Sequence, residues 1–216
     1  MNDTILEKMD SKEEFRQRQI DDYITFTLNY DYTNNYNNDI YNDIIIMFKH
    51  IFNDAVNLFD LMMRWYGHNI TGNMDYNYCM FNYGPSASNG KSTISNIFKN
   101  IFTKYVINLS SDTFNTNSIQ TRDKSLVELS GKRFACVNEL DNDALSGDLF
   151  KTLSGDEYYR CKVLYKNTID IKLTAKLNIM SNSKPVFENA DEGVIRRGIL
   201  VQLNNRFLPE ETYITN

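Results

Sequence analysis

The sequence predicts an α/β fold, with a mainly parallel central sheet covered on both faces by helices and a helical segment ahead of it. Three observations carry this expectation. From Asn77 onward short apolar runs alternate with amphipathic stretches, the order of parallel strands joined by helices. One such transition, residues 81–93 (FNYGPSASNGKST), passes from an apolar strand through a glycine-bearing turn into a helix. Ahead of both, over 39–66, apolar residues recur at helical spacing.

Taken in order, residues 1–38 are polar and end in NYDYTNNYNN, which reads as an N-terminal segment and linker. Residues 39–75 form the helical segment. Ile44, Phe48, Ile51, Ala55, Phe59 and Met62 make the stripe of one long amphipathic helix packed on the core, and Gly67 with NITGN closes it. Residues 76–207 carry the sheet. Strands are expected over 77–83, 106–109, 132–137, 177–180 and 199–203, and helices over 91–105, around 125–129 and over 144–153. In the first of these helices Ile94, Ile97, Phe98, Ile101 and Phe102 share a face. Residues 208–216 are a tail, and no internal repeat is visible.

Composition narrows the function. With 42% apolar and 13% aromatic residues over 216 positions, the chain can bury a sizeable core and is not a disordered one. A net charge of −5 excludes a protein coated with basic surface for nucleic acid. One stretch departs from this: over 151–184 seven basic residues face three acidic ones, a local balance of +4. No apolar run approaches the roughly 20 residues of a membrane helix, and the acidic start lacks the pattern of a secretory signal. No membrane partner is expected. Cys79, Cys136 and Cys161 are distant from one another and form no CxxC pair, so free buried thiols in a reducing, intracellular compartment are the expectation. His50 and His68 have no ligand spacing to them, which argues against a His/Cys metal site.

The chemistry begins at the glycine-bearing turn. Gly84, Pro85, Ser86, Ala87, Ser88, Asn89, Gly90, Lys91, Ser92 and Thr93 have the make-up of a phosphate-binding loop opening a helix. Its backbone N–H groups form a concave donor cluster, Lys91 reaches the β- and γ-phosphates, and the Ser92 hydroxyl coordinates Mg2+. ATP with Mg2+ is therefore the expected ligand. Gly90 is expected because a Cβ there would obstruct the phosphate. Five residues separate Gly84 from Gly90 where four are usual. Either Pro85 takes the first-glycine position or the loop has one extra residue.

About fifty residues later an apolar strand delivers Asn138 and Glu139 at its C-terminal end, the edge where open α/β sheets bind ligands. Glu139 is the candidate to orient the attacking water and to share the metal. Many motors place Asp before that glutamate; here it is Asn138, and Asp141 is a second candidate for metal contact.

With these residues in hand, the chain resembles superfamily 3 helicases, in particular the branch of poxviruses, other large DNA viruses and phage and plasmid primase-helicases. The resemblance spans about Phe59 to Phe207 and rests on ordered motifs. LMMRWYGHNITGN precedes the phosphate loop, and GKRFACVNELDND carries the glutamate. LFKTLSGDEYYRCKVLYKN follows, matching at Lys151, Gly155, Asp156, Leu164 and Tyr165; then come KLNIMSNSKP and DEGVIRRGILVQL. One extra residue between Asp156 and Leu164 leaves open whether Arg160 or Lys162 takes the family's basic position.

The resemblance implies an AAA-like ATPase that assembles into a ring, a hexamer, threading single-stranded or forked DNA through its pore. It implies viral or mobile-element DNA replication at the replication site of an infected host cell, with a primase or other replication proteins as partners. By the same resemblance Asn182 is a polar sensor of the γ-phosphate. Arg197, with Arg196 as the alternative register, is an arginine finger entering a neighbour's site. Arg160 and Lys162 contact DNA phosphates from a hairpin over 157–171, and Tyr158 and Tyr159 either stack on bases or pack. A small P-loop kinase is the weaker alternative, because no arginine-rich acceptor lid follows the loop. A non-catalytic or DNA-loading P-loop subunit is permitted by the longer loop and Asn138, while Lys91, Ser92, Glu139, Asn182 and Arg197 favour activity.

Overall fold

The computed structural model describes residues 4–9, 12–17, 19–22, 26–28, 30–31, 33, 35–115, 119–138, 140, 144–155, 157–162 and 168–208. The polar N-terminal segment is not only a linker: β1 (Thr4–Met9) and β2 (Lys12–Gln17) pair as an antiparallel hairpin, with Thr4 opposite Gln17.

The single long helix expected over 39–66 is two helices, α1 (Asn38–Ile51) and α2 (Val56–Thr71). Asn37 starts α1, its side-chain oxygen accepting from the N–H groups of Asp39 (2.9 Å) and Ile40 (3.3 Å). The break comes at Asn53 and Asp54, both left-handed at φ 60° and 55°, a conformation these two residue types tolerate better than most. Asn53 then earns its position by stitching the break to the sheet edge. Its Nδ2 donates to the Gln202 carbonyl (2.7 Å) and its Oδ1 accepts from the Asn204 N–H (2.8 Å). Of the expected stripe, Phe48, Ile51 and Met62 are buried, whereas Ile44 and Ala55 are exposed and Phe52, outside the stripe, is fully buried. Gly67 lies inside α2, and the left-handed Gly72 (φ 68°) ends it.

The central sheet comprises β3 (Cys79–Tyr83), β4 (Val106–Leu109), β5 (Phe134–Val137), β8 (Lys176–Ser181) and β9 (Gly198–Gln202). Its spatial order is β4-β5-β8-β3-β9 and every pairing is parallel. The remaining elements are the helices α3 (Lys91–Phe102), α4 (Asp112–Asn115), α5 (Ile119–Leu126), α6 (Gly147–Gly155) and α7 (Glu192–Ile195), and the strands β6 (Tyr158–Cys161) and β7 (Ile169–Lys172). The helix expected from 144 starts later because Leu145 instead bridges Phe187 in parallel.

Every residue of β3, β5 and β8 is buried, as a parallel sheet covered on both faces requires. On one face Phe81 packs with Leu149 and Phe150 of α6; on the other Met80 packs with Met62 and Trp65 of α2 and with Ile94 and Phe98 of α3. Stacked rings of Phe98, Phe102 and Phe134, with centroids 4.9 to 6.0 Å apart, hold α3 on β5. The three cysteines are free and buried. Among the described residues no helix is long and apolar enough to cross a membrane.

Polar groups are also built into this core. Trp65 Nε1 donates to Asn178 Oδ1 (2.7 Å), Asn178 Nδ2 to Asn69 Oδ1 (2.9 Å), and Asn69 Nδ2 to the Trp65 carbonyl (2.6 Å). This closed network registers α2 against β8, and removing one member would leave a buried amide unpaired. Lys176, at the start of β8, is 1% exposed and its Nζ donates to the Tyr76 carbonyl (2.6 Å).

Burial pushes the Lys176 amine down to about 8 from 10.5, with Asp75 acting against the shift. Above pH 10.5 the amine is neutral in both the folded and unfolded chain and costs nothing. As pH falls, the unfolded chain takes up the proton first, so the fold loses stability down to about pH 8. Urea midpoints of wild type relative to Lys176→Met should therefore decline from pH 10.5 to 8 and level off below. A difference independent of pH would show that the amine is solvated.

Candidate active site

The candidate phosphate loop leaves the sheet at Gly84, whose N–H donates to the Ser181 carbonyl of β8 (3.1 Å). A Cβ on this buried residue would run into the Leu203 carbonyl and the Asn89 amide, whereas Pro85 is exposed. Gly84 is thus a position that demands glycine. Ser88 (φ 60°) and Gly90 (φ 89°) are both left-handed, the kind of alternation by which successive N–H groups line an anion-binding concavity. At Gly90 the chain itself also demands glycine: the residue is left-handed, and a Cβ would lie 2.8 Å from Ile51 Cγ1 of α1.

Lys91 opens α3 and its Nζ donates to the Gly84 carbonyl (3.0 Å), closing the loop on itself. Partial burial lowers the Lys91 pKa. The first turn of α3 holds no acidic residue, so the positive end of the helix dipole is left uncompensated beside the exposed Ser92 and Thr93.

Beside the loop lies a cleft of about 390 Å³. Lys91, Ser92 and Asn96 line it from α3, Asn138 from the end of β5, and Ser181 and Asn182 from the end of β8. Because β8 lies between β3 and β5, three adjacent strand ends deliver the loop, Asn182 and Asn138 side by side. Leu140 N–H donates to the Met180 carbonyl (3.2 Å), drawing the segment after β5 toward the end of β8. Glu139 and Asp141 lie outside the described residues. Asn96 was not singled out by motif, although it follows Ser92 by four residues on the same helical face.

The arginine pair sits elsewhere. Asp191 caps α7 by accepting from the Val194 N–H (2.9 Å), and Arg196 follows the helix with its side chain exposed. Arg197 turns into its own chain: its guanidinium donates to the Lys151 carbonyl (2.9 Å) and covers Gly155, where a Cβ would lie 2.9 Å from it. Cys79 N–H donates to the Arg197 carbonyl (2.8 Å), so the pair stands at the start of β3 while the phosphate loop leaves its end. The length of β3 separates them by roughly 15 Å, and neither arginine lines the cleft of its own chain.

The expected hairpin is present, β6 pairing antiparallel with β7. Asp123 of α5, 2% exposed, anchors it by accepting from Tyr159 Oη (2.8 Å) and the Lys162 N–H (2.7 Å). Tyr159 packs against the core, and its burial together with Asp123 raises its phenol to about 12, whereas Tyr158 is exposed. The local excess of positive charge is largely spent internally. Arg160 faces its register partner Asp170 at 2.7 and 2.9 Å, Lys151 meets Asp148 (3.0 Å) and Asp191 (2.9 Å), and Lys172 meets Glu157 (3.3 Å). Lys162 is exposed, with no charged partner among the described residues. Asp156 and the hairpin tip, with Leu164, Tyr165 and Lys166, lie outside them.

Comparison with known proteins places these residues in context. Residues 82–197 match a family described as a family of unknown function (DUF5906). No curated protein matches the chain. Among solved structures, the A-form apo structure of the NrS-1 C-terminal region (305–718) has a TM-score of 0.57 at 20% identity, covering 80% of this chain and 41% of that one. A second apo structure of the same region gives 0.55 at 19% identity, covering 80% and 42%. A JCV helicase structure gives 0.49 at 12% identity, covering 78% and 45%. The chain spans about two fifths of the length of the NrS-1 region, and what it shares with that region is the fold.

Proposed function

From the premise that the chain belongs to the DUF5906 family of unknown function, we propose that it is an ATP-dependent DNA helicase of the superfamily 3 type, working in viral or mobile-element replication. The observation that carries this reading is the cleft in which Lys91, Ser92, Asn138 and Asn182 converge from three adjacent parallel strand ends.

Each group there has a distinct task. The loop N–H groups and the uncompensated start of α3 bind the polyphosphate, and Lys91 exchanges the Gly84 carbonyl for a phosphate oxygen. Ser92 offers a hydroxyl and Asn138 an amide oxygen, hard donors suited to Mg2+ held mainly by phosphates and water, with Glu139 as the charged ligand. Bound Mg2+ neutralises charge on the phosphates. Glu139 takes the proton of the attacking water as its oxygen bonds the γ-phosphorus and the bond to ADP breaks. Asn182 donates to the γ-phosphate or orients that water.

The site is incomplete in one chain. Charge on the transferring phosphoryl group calls for an arginine, and the candidate pair stands at the far edge of the sheet. A ring, with a hexamer as the expected size, brings that edge to the neighbour's cleft. Arg196, exposed, then serves as the finger, and Arg197 positions it by holding β9 against α6. Single-stranded or forked DNA passes the β6–β7 hairpin, where Lys162 is exposed with no charged partner among the described residues and Arg160 chiefly braces Asp170.

Glu139→Gln is expected to keep ATP binding while hydrolysis falls by orders of magnitude, and Lys91→Ala to weaken binding itself. Equal hydrolysis by wild type and the Glu139 variant would remove the assignment. Mixing inactive Arg196→Ala with inactive Lys91→Ala subunits should restore part of the ATPase, since some interfaces then pair an intact lysine with an intact arginine. Full activity of a dilute monomer rules the shared site out. On single-stranded DNA, Lys162→Ala should lower the slope of log affinity against log salt by about 0.7, one phosphate contact, for all sequences alike. An unchanged slope would place the DNA path away from the hairpin.

A further inference from the structure

A second cavity, of about 330 Å³, lies on the other side of the phosphate loop. Met47 and Ile51 of α1, Ser88, Gly90 and Thr93 of the loop and helix start, and Phe207 beyond β9 line it. Ser88 borders both this cavity and the phosphate cleft. The Phe207 N–H donates to the Ser88 carbonyl (2.7 Å), so the aromatic residue is tied to the very loop that would hold the phosphates. Resting on the reading of the cleft as a nucleoside triphosphate site, we infer that this cavity holds the base of the same nucleotide, stacked on Phe207, and that it discriminates poorly among bases.

The placement follows from continuity: one wall, the Ser88 backbone, separates phosphates from base. The lining is suited to a flat apolar ring, since it offers a phenyl group, a thioether and an isoleucine. Poor discrimination follows from what the wall lacks. To reject a wrong base a site needs fixed donors and acceptors that are left unpaired by it. Of the side chains that line the cavity, those of Met47, Ile51 and Phe207 are apolar and Gly90 has none, and the Phe207 N–H is engaged with Ser88. What remains is the hydroxyls of Ser88 and Thr93, and a hydroxyl rotates to donate or accept as its partner requires.

The test compares kcat/KM for ATP, GTP, CTP and UTP, together with competition by inorganic tripolyphosphate, which has no base. For the wild-type chain the four values should fall within about tenfold of one another. Phe207→Ala should raise KM for all four by about tenfold or more, the scale of a lost base–aromatic stack, and leave inhibition by tripolyphosphate unchanged. Phe207→Tyr should restore the KM values, and Met47→Ala, on a different element, should raise them in the same uniform way. A preference of a thousandfold for one base, or unchanged KM values in both the Phe207→Ala and Met47→Ala proteins, overturns the inference while the ATPase reading stands. If neither nucleotide nor tripolyphosphate binds the wild-type chain, the ATPase reading itself fails and takes this inference with it.

Discussion

The edge that carries the candidate site depends on β8 lying between β3 and β5. Parallel pairing on both sides forces three strands to end at one edge, and the Gly84 N–H bonded to the Ser181 carbonyl sets how far along that edge the phosphate loop begins. Had β3 and β5 been neighbours, Asn182 would have no place between the loop and Asn138. The strand in the middle must therefore be held most firmly, and it is: β8 is buried along its whole length and fastened from the α2 side through Trp65, Asn69 and Asn178. The side-chain polar atoms of these three residues are all paired, so the network selects a register without leaving one of its own groups unsatisfied.

The parts of the fold written in short-range pattern were legible in the sequence. An apolar strand followed by glycine, lysine and serine at the head of an amphipathic stretch is a local arrangement, and β3, the loop and α3 appear where it indicates. The break between α1 and α2 was not legible, because the spacing of Ile51, Ala55, Phe59 and Met62 keeps helical phase across it. Only the left-handed Asn53 and Asp54, and the sheet-edge carbonyl that Asn53 reaches across the fold, reveal why the chain turns there. The N-terminal hairpin was hidden for another reason: its segments, TILEKM and KEEFRQ, are too rich in charge to read as strands.

Charge was the least transferable signal. A run of basic residues in an acidic chain looks like a binding face, yet its meaning depends on partners that only the fold supplies. Arg160 finds Asp170 because β6 and β7 pair in that register, and Lys176 disappears into the core because β8 begins beneath Tyr76. The arginine pair makes the same point. Arg196 and Arg197 are adjacent in sequence, but the second is turned onto Lys151 and Gly155 by the hydrogen bond that starts β3 against β9, leaving only the first to face outward.

The loop between β3 and α3 needs support that its own motif does not contain. Three contacts provide it, and each comes from beyond the loop: Leu203 over Gly84, Ile51 behind Gly90, and the Phe207 N–H on Ser88. All three lie outside the residues 82–197 that define the family match. Two of them follow β9, which pairs with the loop-bearing β3, and the third closes α1 just before the Asn53 break. Asn53 bonds both Gln202 and Asn204, so the break and the post-β9 segment are one joined structure. The helical segment is on this account a wall behind the loop: the turn that interrupts its helices is what lets Ile51 meet the loop from behind while the following helix packs on the sheet.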